Sequence, residues 1–133
     1  MMSINSKMGK FLDAIIAQEG YFVPGELGHV NGSISWRNKN PGNLRSSPFE
    51  CGKRDGFSVF KYDSLGYMAL QFDILQKAKG NTVTRLNGDS TILDFCEVYA
   101  PASDNNSPEL YADFIYEATG FDKNFTLKEL LSD

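Results

Sequence analysis

The stretch M-G-K-F-L-D-A-I-I-A-Q-E-G-Y-F, Met8 to Phe22, places apolar residues at Met8, Phe11, Leu12, Ile15 and Ile16. That spacing is the stripe of an amphipathic helix, in which every third or fourth residue returns to one face. The helix is expected to start near Ser6, a good N-cap residue, and to stop at Gly20, which tolerates the left-handed backbone that ends many helices. Glu19 breaks the pattern. It follows Met8 by about three turns, so it lies only about 20° from Met8 around the axis, where another isoleucine would fit. Partial loss of water disfavours the charged carboxylate, and the negative end of the helix dipole pushes the same way. The sequence therefore predicts a Glu19 that holds its proton more tightly than a free carboxyl. A general acid needs such a group to protonate a leaving oxygen. The plainer alternative is a side chain that snorkels into water from a frayed helix end, and periodicity leaves both open.

Beyond the helix the chain changes character. Residues 20–56 are rich in Gly, Pro, Asn and Ser, which argues for an irregular region with at most short hairpin strands, and loops this long in a small domain are usually functional. The run F-S-V-F-K-Y, Phe57 to Tyr62, reads as a strand. A core helix follows, capped by Asp63 or Ser64, with the stripe Leu65, Met68, Ala69, Phe72 and Leu75, and ended by Gly80. T-I-L-D-F-C-E-V-Y-A-P carries Ile92, Leu93, Phe95, Cys96 and Tyr99 up to a stop at Pro101. Ser107 with Pro108 opens a further helix that Gly120 closes, and Thr126 with Glu129 forms a capping box for a last one reaching Leu131. The expected class is α+β, mostly α, in one domain spanning residues 1–133.

Composition narrows the function. Apolar residues at 41% and charged residues at 23% are ordinary for a globular chain, and no apolar run approaches the roughly 18 residues of a membrane span. Membrane insertion is not expected. A formal net charge of -4 supplies no overall positive field to hold a phosphate backbone, so nucleic acid is not the expected partner. The two cysteines, Cys51 and Cys96, form no C-x-x-C pair and have one histidine, His29, to join them, so neither a zinc site nor any other cofactor is expected. Cys51 with His29 remains a candidate nucleophile and base for a thiol amidase or peptidase. The N-terminus lacks the pattern of a secretory signal, so the product is expected to be made in the cytoplasm.

The string N-K-N-P-G-N-L-R, Asn38 to Arg45, is followed by G-F-S-V-F, then D-S-L-G-Y-M-A-L, and later Y-A-P-A-S-D-N-N-S-P-E-L-Y. In this order it resembles lysozyme-like domains of phage virion proteins and bacterial muramidases, which are similar to goose-type lysozymes and lytic transglycosylases. The matching pieces run from about residue 10 to residue 121. The resemblance implies a lysozyme-like fold, a helical lobe and a small irregular or β lobe flanking a cleft. It also implies cleavage of the β-1,4 bond between N-acetylmuramic acid and N-acetylglucosamine in peptidoglycan, with Glu19 as the acid.

On the same resemblance Asn40, Pro41, Gly42, Asn43 and Arg45 match a cleft-lining signature, Tyr99, Ala100 and Pro101 match Y-A-P, and Asn105, Asn106 and Tyr111 match the element after it. Phe60 joins Asn40, Asn43, Arg45, Tyr99, Pro101, Asn105, Asn106 and Tyr111 as expected substrate-binding residues. Amide side chains can hydrogen-bond sugar substituents and aromatic faces can cover a pyranose, which suits these types. Each has a plainer alternative: a tight turn for N-P-G-N, core packing for Tyr99, helix capping for Asn105 and Asn106.

A glycosidase usually needs a second carboxylate, and Glu26, Glu50, Asp55, Asp63 and Asp104 are available without a choice among them. Goose-type relatives often manage with one Glu, and transglycosylases use the sugar's own 6-hydroxyl, so hydrolase and transglycosylase both stay open. The expected partner is the glycan strand of the wall, reached through a holin or as part of a virion, by a monomer or a module of a larger assembly. The competing expectation is a non-catalytic lysozyme-like module that binds glycan or builds a phage particle.

Overall fold

The structure, a computed structural model, describes residues 6–101 and 106–132. The elements, in chain order, are α1 Ser6–Gln18, α2 Ile34–Arg37, β1 Gly52–Arg54, β2 Phe57–Val59, α3 Asp63–Ala78, α4 Ile92–Tyr99, α5 Pro108–Thr119 and α6 Leu127–Leu131. The class is α+β and mostly α. The residues divide into two compact units, one of residues 1–14 with 74–133 and one of residues 15–73.

The described residues of the unit of residues 1–14 and 74–133 are mainly helical, and apart from Lys77 the buried ones are apolar. Met8, Phe11 and Leu12 of α1 are buried as the stripe requires, with Ile92, Phe95 and Cys96 of α4, Ile115 of α5, and Leu127 and Leu130 of α6. Phe11 meets Phe95 edge to face, ring centroids 5.3 Å apart, a favoured aromatic geometry. Capping fixes where these helices begin. Ser107 accepts a hydrogen bond from Leu110 N–H at 3.2 Å beside Pro108, and Thr126 pairs with Glu129 as the box predicts. A second box, Thr91 with Asp94, opens α4.

The unit of residues 15–73 has a different interior. Beside Ile15, Leu44, Phe60, Ala69 and Leu70 it buries Ser33, Ser35, Asn38, Asn40, Ser58 and Gln71, and the first five of these polar side chains make hydrogen bonds there. β1 and β2 form an antiparallel hairpin in the register Gly52↔Val59, Lys53↔Ser58 and Arg54↔Phe57. Its turn is Asp55-Gly56, both at positive φ (53° and 84°), the primed geometry that matches strand twist.

Two expectations are corrected. The region of residues 20–56 contains the short helix α2, capped by Ser33, whose Oγ accepts from Trp36 N–H at 3.2 Å. On α3 the expected stripe holds fully only at Ala69, which is 1% exposed: Met68 is 40% exposed, whereas Leu70 and Ile74 are fully buried and Gln71, Lys77 and Ala78 nearly so. The pattern misleads because Gly66, Gln71 and Lys77 on the buried side do not count as apolar, while Leu65, Phe72 and Leu75 on the other are half-buried.

Candidate active site

Glu19 is the first residue beyond α1, its N–H still bonded to Ile15 C=O at 2.8 Å. Gly20, at φ 71°, turns the chain out of the helix, and Tyr21 N–H returns to Ile16 C=O at 3.3 Å. The segment after Glu19 is then tied down. Ser35 Oγ donates to Gly20 C=O at 3.2 Å, Phe22 N–H to Ser33 Oγ at 2.9 Å, and the Tyr21 hydroxyl to Asp63 at the start of α3. These ties fix the backbone that leaves the half-buried Glu19.

Burial, then the hydrogen bond to Asp63, then that residue's charge push the Tyr21 phenol above its ordinary value of 10.0. The folded chain thus keeps this proton where the unfolded chain releases it. The resulting stability is present below pH 10.0 and is lost as pH rises through that value toward the higher folded one. Melting temperatures of wild type and Tyr21→Phe are expected to converge as pH climbs above 10, with wild type the more stable at neutral pH.

Facing Glu19 is the N-P-G-N turn. Asn43 Nδ2 lies 3.5 Å from Glu19 Oε1, and Asn43 itself sits at φ 52° with its N–H bonded to Asn40 C=O at 2.9 Å. Asn40, expected among the substrate contacts, is instead wholly buried. Its Oδ1 accepts from Leu44 N–H, and its Nδ2 donates to the carbonyls of Leu44 and Ser58, all at 2.9 Å. One amide thus closes the turn and bolts it to β2. Asn40→Leu leaves Leu44 N–H and Ser58 C=O without those partners, and a loss of about 3 kcal/mol is expected in urea unfolding.

Phe60 is also interior, 1% exposed, its N–H bonded to Asn38 C=O, so its ring fills the core and does not line a surface. Arg45 is exposed, its guanidinium 4.8 Å from the Phe57 ring centroid. Behind the turn stands Gly66 of α3. A Cβ there would meet Lys39 C=O oxygen at 2.0 Å and Pro41 Cδ at 2.9 Å.

The remaining expected residues belong to the helical unit. Tyr99 is half-buried and stacks on Phe95 at 4.9 Å, with Tyr111 edge-on at 6.3 Å and Lys77 Nζ 5.9 Å from its ring. Tyr111 is 4% exposed and serves packing. Pro101 is half-buried just after α4, Asn106 is exposed before the Ser107 cap, and Asn105 lies outside the described residues.

Among the other carboxylates, Glu50 Oε1 accepts from Ser58 Oγ at 2.7 Å, Lys53 Nζ at 3.0 Å and Ser47 N–H at 3.1 Å, and these bonds, Ser58's first, hold it below the ordinary carboxylate range. Glu26 accepts from Val23 N–H at 3.1 Å, Asp63 from Tyr21, and Asp55 occupies the hairpin turn, while Asp104 lies outside the described residues. His29 stacks on Phe22 at 5.0 Å, and Cys51 is an exposed free thiol at the hairpin. Buried Cys96 is pushed up to about 12 by desolvation first and by the Glu97 charge second, so it stays a thiol. Among the described residues no group of three or more His, Cys, Asp or Glu is placed to hold a metal ion, and no helix is long and apolar enough to cross a membrane.

Sequence reading overlooked Tyr21 and Gly66, and it offered Asp63 as a helix cap or a second carboxylate without its bond to Tyr21. A glycine inside a helical pattern was the one available signal, since such a glycine often marks a close approach of backbones. No family model, curated protein or solved structure matches the chain.

Proposed function

We propose that this chain is a lysozyme-like glycosidase that cleaves the β-1,4 bond between N-acetylmuramic acid and N-acetylglucosamine in peptidoglycan, with Glu19 as general acid. The observation that carries the reading is the pairing of Glu19, at the end of the first helix, with Asn43 of the N-P-G-N turn. An acid must be set on a fixed backbone beside polar groups that tolerate its charge, and the ties at Gly20 and Tyr21 support the first need. Glu19 gives its proton to the glycosidic oxygen as the bond breaks.

Glu26, Glu50 and Asp63 already accept hydrogen bonds from the protein. With those three engaged, the proposed mechanism uses one carboxylate: the ionised Glu19 then takes the proton of the muramic 6-hydroxyl as that oxygen attacks the anomeric carbon. The product is a 1,6-anhydro end. In this reading the enzyme works at the cell wall, delivered through a holin or on a phage particle, as a monomer or as a module of a larger assembly, and the acidic net charge makes such delivery useful against an anionic wall.

Digestion of purified peptidoglycan followed by mass spectrometry tests the proposal. Anhydro-muramic ends are the expected product. Reducing muramic ends would replace the one-carboxylate route with hydrolysis. A protein that sediments with the wall and releases nothing would be a binding module.

A further inference from the structure

We propose that Asn43 is a positioning residue for Glu19, acting on glycan cleavage through the carboxyl group and not through a contact of its own with the sugar. The catalytic consequence rests on the function proposed above; the positioning is a property of the folded chain.

The root of the side chain is fixed first. Asn43 lies at φ 52°, a backbone region that glycine and asparagine accept more readily than other residues. Its N–H is bonded to Asn40 C=O at 2.9 Å, and its neighbours Gly42 and Leu44 are buried. The amide therefore leaves the turn in a set direction, and its remaining freedom is mainly rotation about its own side-chain bonds.

The amide's two ends are then unequal. Nδ2 lies 3.5 Å from Glu19 Oε1, whereas Oδ1 is buried and accepts no hydrogen bond from the described residues. A buried acceptor without a donor is costly, so the orientation needs an opposing gain. The carboxylate that Glu19 becomes on giving up its proton supplies one. An amide turned over would bring its oxygen against a carboxylate oxygen, two acceptors facing each other, while the orientation present offers N–H to negative charge. At 3.5 Å the bond is long, and contacts of this kind often tighten once the substrate is bound.

The consequence follows from the charge. Glu19 becomes negative as its proton moves to the leaving oxygen, and Nδ2–H is aimed at that developing charge, so it favours the transition state over the bound ground state. Asn43 keeps its own protons throughout. Its acceptor, sealed in the protein, is not offered to a sugar amide or hydroxyl.

Two substitutions spare the left-handed backbone. Asn43→Gly removes the amide, and Asn43→Asp exchanges the donor for an acceptor. Asn43→Gly is expected to lower kcat on peptidoglycan by about tenfold or more, the usual worth of a hydrogen bond to a charged group, with KM changed by less than about threefold. Asn43→Asp is expected to lose more, because it sets a second carboxylate beside the first. A rise in KM at unchanged kcat would mean direct glycan contact and would overturn the proposal.

A second measurement needs no activity. The Glu19 carboxyl carbon, followed by NMR in free wild type and Asn43→Gly, is expected to titrate at higher pH in the variant. An unchanged titration would overturn the positioning role even if kcat fell. Wild type that cleaves nothing would instead overturn the proposed function, and the titration would still decide for or against Asn43.

Discussion

Glu19→Gln is expected to release glycan from peptidoglycan about a hundredfold to ten-thousandfold more slowly than wild type, the range that a general acid contributes. Glutamine matches glutamate in shape and keeps an oxygen for Asn43 Nδ2, so the geometry at the end of α1 should survive. What it lacks is the proton. The melting temperature is expected to stay level or rise slightly, because the substitution takes a negative charge from the negative end of a helix dipole. Together the two measurements separate chemistry from folding. Full activity in Glu19→Gln would move the acid elsewhere, and loss of activity with a large fall in melting temperature would leave its cause in the fold.

Gly66→Ala is expected to cost roughly 3 kcal/mol, set by overpacking. Two effects oppose each other. Alanine is the better helix former by about 1 kcal/mol, which alone would stabilise α3. Against this, the new methyl carbon would stand 2.0 Å from Lys39 C=O oxygen and 2.9 Å from Pro41 Cδ, a backbone atom and a ring carbon that cannot swing aside. Either α3 or the turn must move, and the turn carries Asn40 and Asn43. The melting temperature should therefore fall by roughly 10 °C, and cleavage should weaken even where the protein stays folded. Gly52→Ala is the control: nothing lies within 4 Å of its Cβ position, and its stability should be almost unchanged. Equal stability of Gly66→Ala and wild type would show that the turn is not braced by α3.

Local chemistry explains which parts of this fold could be read ahead of the structure. Met8, Phe11, Leu12 and Ile15 repeat at helical spacing and are all buried, and Ser107 with Pro108, Thr126 with Glu129, and Gly120 at φ 82° act at the helix ends where their backbone preferences put them. A cap or a stripe works within a few residues, so a few residues suffice to recognise it. The class, α+β and mostly α, follows from adding such signals. α2 escaped because four residues are too few for a period to emerge, and its cap Ser33 stands in a stretch crowded with turn formers.

The candidate site was legible as a set of residue types and not as an arrangement. Glu19 stood out because its spacing from Met8 sets a carboxylate in line with an apolar stripe, where an apolar residue is the ordinary choice. The separate tasks of the asparagines were not visible. Asn40 and Asn43 belong to one turn, yet the first closes that turn onto β2 while the second reaches Glu19. Side-chain type is the same in both; what differs is the partner, which lies far away in sequence.

The sequence by itself determined where helices begin and end and which faces of α1 and α4 are apolar, and it singled out one acid in line with an apolar stripe. Propensity, capping and periodicity act over one or two turns, so they are written in neighbouring residues. Only the tertiary structure decided that α3 buries the side carrying Gly66, Leu70 and Ile74, and that Tyr21 anchors to Asp63. It also decided that Asn43, and not Asn40, meets Glu19. Those outcomes depend on hydrogen bonds and close contacts between residues distant in the chain, whose energies exist only once both partners have been brought together.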